Sequence, residues 1–292
     1  MNAKSSSTRL RTALLLAACA TLAACSSTRF AYNNADTALR FMASSYLDLD
    51  SAQAEEMRLR IAQFHEWHRA NELPAYAALM RSASERAARG ITTEDVAWGL
   101  AGVRARYRGL AAKAAEDAAP VLATLAPEQI AALERKFAEN NQKFERKFLA
   151  SDDEKRRRAQ ADRMLERFRD FAGELTEGQE ASIERFALAH ESHVALRFED
   201  RRRWQRDAVA ALKARHQARE LGRDLAEMFN KPEPRRSEAF ILADKAWDED
   251  LGQLIVELDR TLSAKQRAHV VRRLSDYAKD FAVLAGEKEE AA

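Results

Sequence analysis

Two cysteines are all that the 292 residues contain, Cys19 and Cys25, and none follows residue 25. The rest of the chain therefore has no thiol for a disulfide, a thiolate metal site or a cysteine nucleophile. Glycine and proline are scarce, nine and five residues. No G-x-S-x-G elbow, phosphate-cradling glycine loop or dinucleotide fingerprint occurs, so the common hydrolase and nucleotide signatures are missing. No stretch alternates β-branched with polar residues, so strands are not expected. Neither sign of charge dominates: 48 basic against 46 acidic residues leave a net +2. A chain so balanced is neither a polyanion binder nor an acidic tail by composition.

What is present favours helix. Ala, Arg, Glu and Leu dominate, all strong helix formers. Apolar residues recur at threes and fours, as in Ile130, Leu133, Phe137, Phe144 and Phe148 or Val270, Leu274, Tyr277, Phe281 and Leu284. Phe240, Trp247, Leu251, Leu254 and Leu258 keep that rhythm around Asp244. Each is the stripe of an amphipathic helix, and a 32% charged content covers the outer faces. The expected fold is all-α: an elongated bundle of roughly eight to ten amphipathic helices, forming a single domain over residues 32–292. Pro74, Pro120 and Pro127 are expected to mark turns or kinks, and the segment 230–237 around Pro232 and Pro234 is the candidate hinge.

The N-terminus reads as a secretory leader. Lys4, Arg9 and Arg11 precede an apolar run from Thr12 to about Leu22 that is too short to span a bilayer, and small residues follow. The ending Leu22-Ala23-Ala24-Cys25 resembles the lipobox of bacterial lipoproteins. That resemblance implies a signal peptide over 1–24, cleavage before Cys25, and a diacylglycerol and a further acyl chain (palmitate among them) on that residue. Removing 1–24 takes away three basic residues and leaves a net charge of −1. Ser26 and Ser27, with no aspartate after the cysteine, favour the outer membrane facing the periplasm by analogy with enteric sorting. Residues 25–31 are then a short tether with roughly 20 Å of reach. That compartment excludes nucleic acid as a partner.

A repeat runs through the chain. Leu49 and Gln53, Leu125 and Gln129, Leu175 and Gln179, and Leu262 and Gln266 share one spacing, each at a helix start. Asp50, Thr176 and Ser263 can cap, with glutamine reaching back from the third position; Ala126 cannot, but Pro127 is preorganised for the first turn. The plain reading is four capping boxes, with Thr176→Ala costing more than Gln179→Ala. The sharper one is that Leu175-Thr176-x-x-Gln179 resembles the motif of the periplasmic LTxxQ proteins, helical chaperones and stress adaptors, which the other three copies match in part.

More of the chain resembles a family of uncharacterised proteobacterial lipoproteins. The carrying residues are the lipobox, Tyr32-Asn33-Asn34-Ala35-Asp36, Tyr46-Leu47-Asp48-Leu49-Asp50, Trp67-His68-Arg69 and Glu72-Leu73-Pro74-x-Tyr76. The resemblance implies location and fold, and no activity. Two histidine pairs, His65 with His68 and His190 with His193, lie three residues apart at the edges of apolar stripes. Four imidazoles from two packed helices would suit zinc or copper, although stripe-edge histidines more often pack or hydrogen-bond. The basic runs Arg156-Arg157-Arg158 and Arg201-Arg202-Arg203 read as solvated faces, with anionic lipid as the alternative. The expected role is non-enzymatic: a membrane-anchored envelope lipoprotein that holds client proteins or lipid, needing no cofactor, with metal binding as the alternative.

Overall fold

The computed structural model describes residues 27–149, 152–214 and 217–287. Cys25 and the expected leader, residues 1–24, lie outside them. Among the described residues there are eleven α-helices and no strand, one helix beyond the expected range. They are α1 Ser27–Asn33, α2 Ala35–Leu47, α3 Ser51–Arg89, α4 Thr93–Leu122, α5 Pro127–Phe148, α6 Asp153–Ala172, α7 Glu177–Ala189, α8 Glu191–Lys213, α9 Ala218–Asn230, α10 Glu238–Thr261 and α11 Ala264–Leu284. At 1.5 Å per residue, the 39 residues of α3 extend about 58 Å and give the molecule its long axis.

Three boundaries differ from the sequence reading. The first is that Pro74 does not divide α3, which continues through it. Its missing N–H forgoes one hydrogen bond. Packing compensates, because Leu73 and Ala77 on either side are almost fully buried and α11 lies along the helix. Next, the stretch from 177 to 229 forms three helices, breaking at His190 and after Ala214. At His190 the backbone leaves helical geometry and buried Gln160 donates to the Ala187 carbonyl (2.9 Å), satisfying an acceptor that the break would orphan. Last, residues 27–31 are the first helix, not an extended tether. Arg29 holds α1 to Asp280 of α11 at 2.7 Å.

Two apolar cores lie along this frame. One gathers Leu47, Ile61, Val121, Ile130, Leu212 and Leu221 from α2, α3, α4, α5, α8 and α9. The other gathers Met164, Leu165, Ile183, Phe186, Leu254 and Leu258 from α6, α7 and α10. The close approach of α9 to α4 depends on Gly222. A Cβ there would stand 3.1 Å from that of Ala119 and 3.3 Å from the Glu116 Cα. The candidate hinge carries one 3-10 turn, Glu233–Arg235, and is fastened to its neighbours: Arg108 to Glu233 at 2.7 Å, Arg235 to Asp207 at 3.5 Å and Arg236 to Asp200 at 3.4 Å.

Candidate functional site

The four glutamine boxes pair two by two. Gln53 accepts from the Asp50 N–H at 3.1 Å and Gln129 from the Ala126 N–H at 2.8 Å, each closing its own helix start. Gln129 Nε2 then donates to Gln53 Oε1 at 2.6 Å and to the Asp48 carbonyl at 2.7 Å, while Gln53 Nε2 donates to the Thr124 carbonyl at 3.1 Å. At the other core Gln179 and Gln266 accept from Thr176 and Ser263 N–H, both at 2.9 Å. Gln266 Nε2 donates to Gln179 Oε1 at 2.9 Å and to the Glu174 carbonyl at 2.7 Å, and Gln179 Nε2 donates to the Thr261 carbonyl at 3.3 Å. Gln53 corresponds to Gln179 and Gln129 to Gln266, atom for atom. Leu125 and Leu175 enter the two cores beside them, and Leu49 packs on the first. Gln179 is 2% exposed. The boxes are thus tertiary ties between helix starts as well as caps. The extra signal in the sequence was the residue before each leucine: Thr124 and Thr261 in one partner, Asp48 and Glu174 in the other.

The histidine pairs are not brought together, and among the described residues no three His, Cys, Asp or Glu side chains group as a metal site. The reason lies in which helices pack. His65 and His68 face α1: His65 Nε2 lies 3.2 Å from the Tyr32 carbonyl and the Tyr32 hydroxyl 2.9 Å from His68 Nδ1. Arg69 donates to Asn33 Oδ1 at 3.2 Å and to the Leu284 carbonyl at 2.9 Å, and the Tyr76 ring bridges His68 and Phe281. Residues of the Tyr32-Asn33 and Trp67-His68-Arg69 motifs therefore clamp α1 onto α3 and α11. Burial, helped by His65, pushes the His68 imidazole down to about 4; burial pushes the Tyr76 hydroxyl up to about 12. His190 and His193 instead face α10, with His190 Nε2 3.0 Å from Asp250 and His193 Nε2 3.3 Å from Asp244.

His193 forms the floor of a cleft of about 650 Å³ among α4, α8, α9 and α10. Its ring lies parallel to those of Trp247 and Phe240, with centroids 4.7 and 6.0 Å away. The His193 hydrogen bond, with help from Arg104 and Arg236, holds the Asp244 carboxyl below the usual range. Burial raises that of Asp200 against Arg236 and Arg203. Ion pairs knit the walls, Arg104 of α4 to Asp248 of α10 at 2.6 Å and Arg236, before α10, to Asp200 of α8 at 3.4 Å. Arg197 and Arg201 of α8 stand exposed at the rim, as does Tyr107 of α4. Guanidinium groups beside aromatic faces can hold a carboxylate and an apolar side chain together. Sequence reading singled out His193, as a candidate metal ligand, and the run Arg201-Arg202-Arg203 here; Arg104 and Arg108, four apart on one helix face, were the signal it passed over.

A comparison with protein families matches residues 45–240 to the family of unknown function DUF6279. The chain belongs to that family. The match runs from the end of α2 to the start of α10 and so takes in three of the four boxes and most of the cleft. No curated protein and no solved structure matches. Of the basic runs, Arg156 and Arg157 bind Glu191, the latter at 2.9 Å, and Arg202 binds Glu199 at 3.2 Å.

Proposed function

We propose that this DUF6279 protein is a lipoprotein of a proteobacterial envelope, cut before Cys25 and acylated there, that binds partner proteins beside the outer membrane without catalysis. Leu22-Ala23-Ala24-Cys25 supports the anchor. The cleft carries the binding reading, because its polar walls are cross-linked by their own ion pairs while Tyr107, Arg197 and Arg201 are left at the rim. A preorganised arginine and aromatic surface recognises an acidic segment with an apolar residue in it. The box Leu175-Thr176-x-x-Gln179, which resembles the motif of the LTxxQ chaperones, supports a similar helical construction.

One experiment reads both parts. A photo-crosslinking amino acid at Tyr107, in the full chain in its native envelope, should capture a discrete protein that Arg197→Glu with Arg201→Glu no longer captures. The same group at exposed Leu188 on α7 serves as the control. Cys25→Ala should abolish labelling by a clickable palmitate analogue and leave precursor. Capture that is equal from Tyr107 and Leu188 overturns the cleft as the binding surface; labelling that survives Cys25→Ala overturns the anchor.

A further inference from the structure

The N-terminal arm, α1 and α2, has an outer face unlike the rest of the molecule. From Ser27 to Ser45 every exposed position carries an uncharged side chain, in a protein that is 32% charged. Its three charged residues lie on the flanks. Arg29 is held by Asp280 at 2.7 Å, and Asp36 pairs with Arg40 at 3.0 Å. On that outer face Phe30 is 70% exposed, Phe41 76% and Met42 53%. Phe30 stands on α1, Phe41 and Met42 on α2, and the two helices meet at Asn34, whose backbone leaves helical geometry. The inward line is Tyr32, Leu39, Ala43 and Tyr46: Tyr32 packs against His65 and His68, and the other three against the first core. The arm is therefore fastened by its inner face and cannot fold its phenylalanines away.

Cys25 stands two residues before Ser27. Two extended residues reach at most about 7 Å, so acyl chains on that sulfur would enter the bilayer beside the first turn of α1. We infer that the outer face of the arm lies in the interface of the membrane that holds the anchor, with Phe30, Phe41 and Met42 sunk among the upper acyl chains. The inference rests on acylation of Cys25. Asn, Ser and Thr around the phenylalanines suit the headgroup layer, where charged side chains on this face would oppose insertion. Lipid is the occupant rather than a protein because the anchor forces this face, and no other, against the membrane. The body then projects from the surface at a fixed angle, since α1 is pinned to α3 and α11 by Tyr32, Arg29 and Arg69.

The test uses the acylated full chain, in which Thr37→Cys supplies the only free thiol for an environment-sensitive nitrobenzoxadiazole group. Gln253→Cys, exposed on α10, carries it as the control. In vesicles of phosphatidylethanolamine and phosphatidylglycerol, the label at residue 37 should emit blue-shifted and be quenched by spin-labelled lipid, while that at 253 should behave as in water. Phe30→Ser with Phe41→Ser should abolish the shift without changing the acyl mass on Cys25. Water-like emission at 37 from a chain shown by mass to be acylated overturns the inference and leaves the anchor standing. A missing acyl mass overturns both. A shift seen in native envelope but not in pure lipid assigns the face to a protein instead, and a concentration-dependent shift without lipid assigns it to a second copy.

Discussion

Gln179 makes at its core the bonds that Gln53 makes at the other. It accepts from Thr176 N–H and from Gln266, and it donates to the Thr261 hydroxyl at 3.1 Å. Removing it strands buried donors and acceptors on two helices at once. Gln179→Ala should therefore cost roughly 2–3 kcal/mol, the upper part of the range for an unsatisfied buried polar group, because several are stranded. Thr176→Ala should cost about 1 kcal/mol, as for a lost cap. This reverses the order that capping alone predicts. Thermal and urea denaturation of the two variants decides it; an equal or smaller loss for Gln179→Ala would reduce the box to a cap. Gln179→Ala and Gln266→Ala should also combine to less than their sum, because the second removes the group that the first strands.

At the scale of the element, α1 is held by an aromatic and histidine clamp that is sensitive to acid. His68 folds with its imidazole at about 4, against about 6.5 in an unfolded chain. Between those values the unfolded state binds more protons, so stability must fall as pH falls. Its contribution is whole above about 6.5 and is lost progressively toward pH 4. The melting temperature of the wild-type chain should accordingly decline over that window more steeply than that of His68→Gln, which has no such proton to take up. Hydrogen exchange should show α1 loosening before α3. Parallel pH profiles for the two proteins would rule out His68 as the sensor. Helix α3 shows why no turn forms at Pro74: proline propensity is local, whereas burial of Leu73 and Ala77 against neighbouring helices is not.

The whole molecule is two cores joined by long helices, each core closed by its own glutamine pair. Ile183 is wholly buried in one and Leu221 almost so in the other. Ile183→Ala and Leu221→Ala should each cost about 2–5 kcal/mol, the usual range for such truncations. They share no packing partners, so the double variant should lose the sum within about 0.5 kcal/mol. Unfolding in two resolved transitions would show instead that the cores melt independently, and a double variant far from additive would show that the connecting helices couple them.

The sequence by itself determined what one or two helical turns decide. Apolar stripes at threes and fours marked the helices, Asp50, Thr176 and Ser263 marked starts that are capped as read, and glutamine in the third position closed each box. These rest on bonds spanning three or four residues, so local chemistry suffices. Tertiary structure alone decided that Gln53 meets Gln129 and Gln179 meets Gln266, and that His65 and His190 face different helices. It also decided that arginines from α4, α8 and the segment before α10 meet in one cleft. The Gln53–Gln129 pair is 76 residues apart and the Gln179–Gln266 pair 87. Which stripes pack together is set by how the helices bury their apolar faces jointly, a choice that no single helix carries in its own residues.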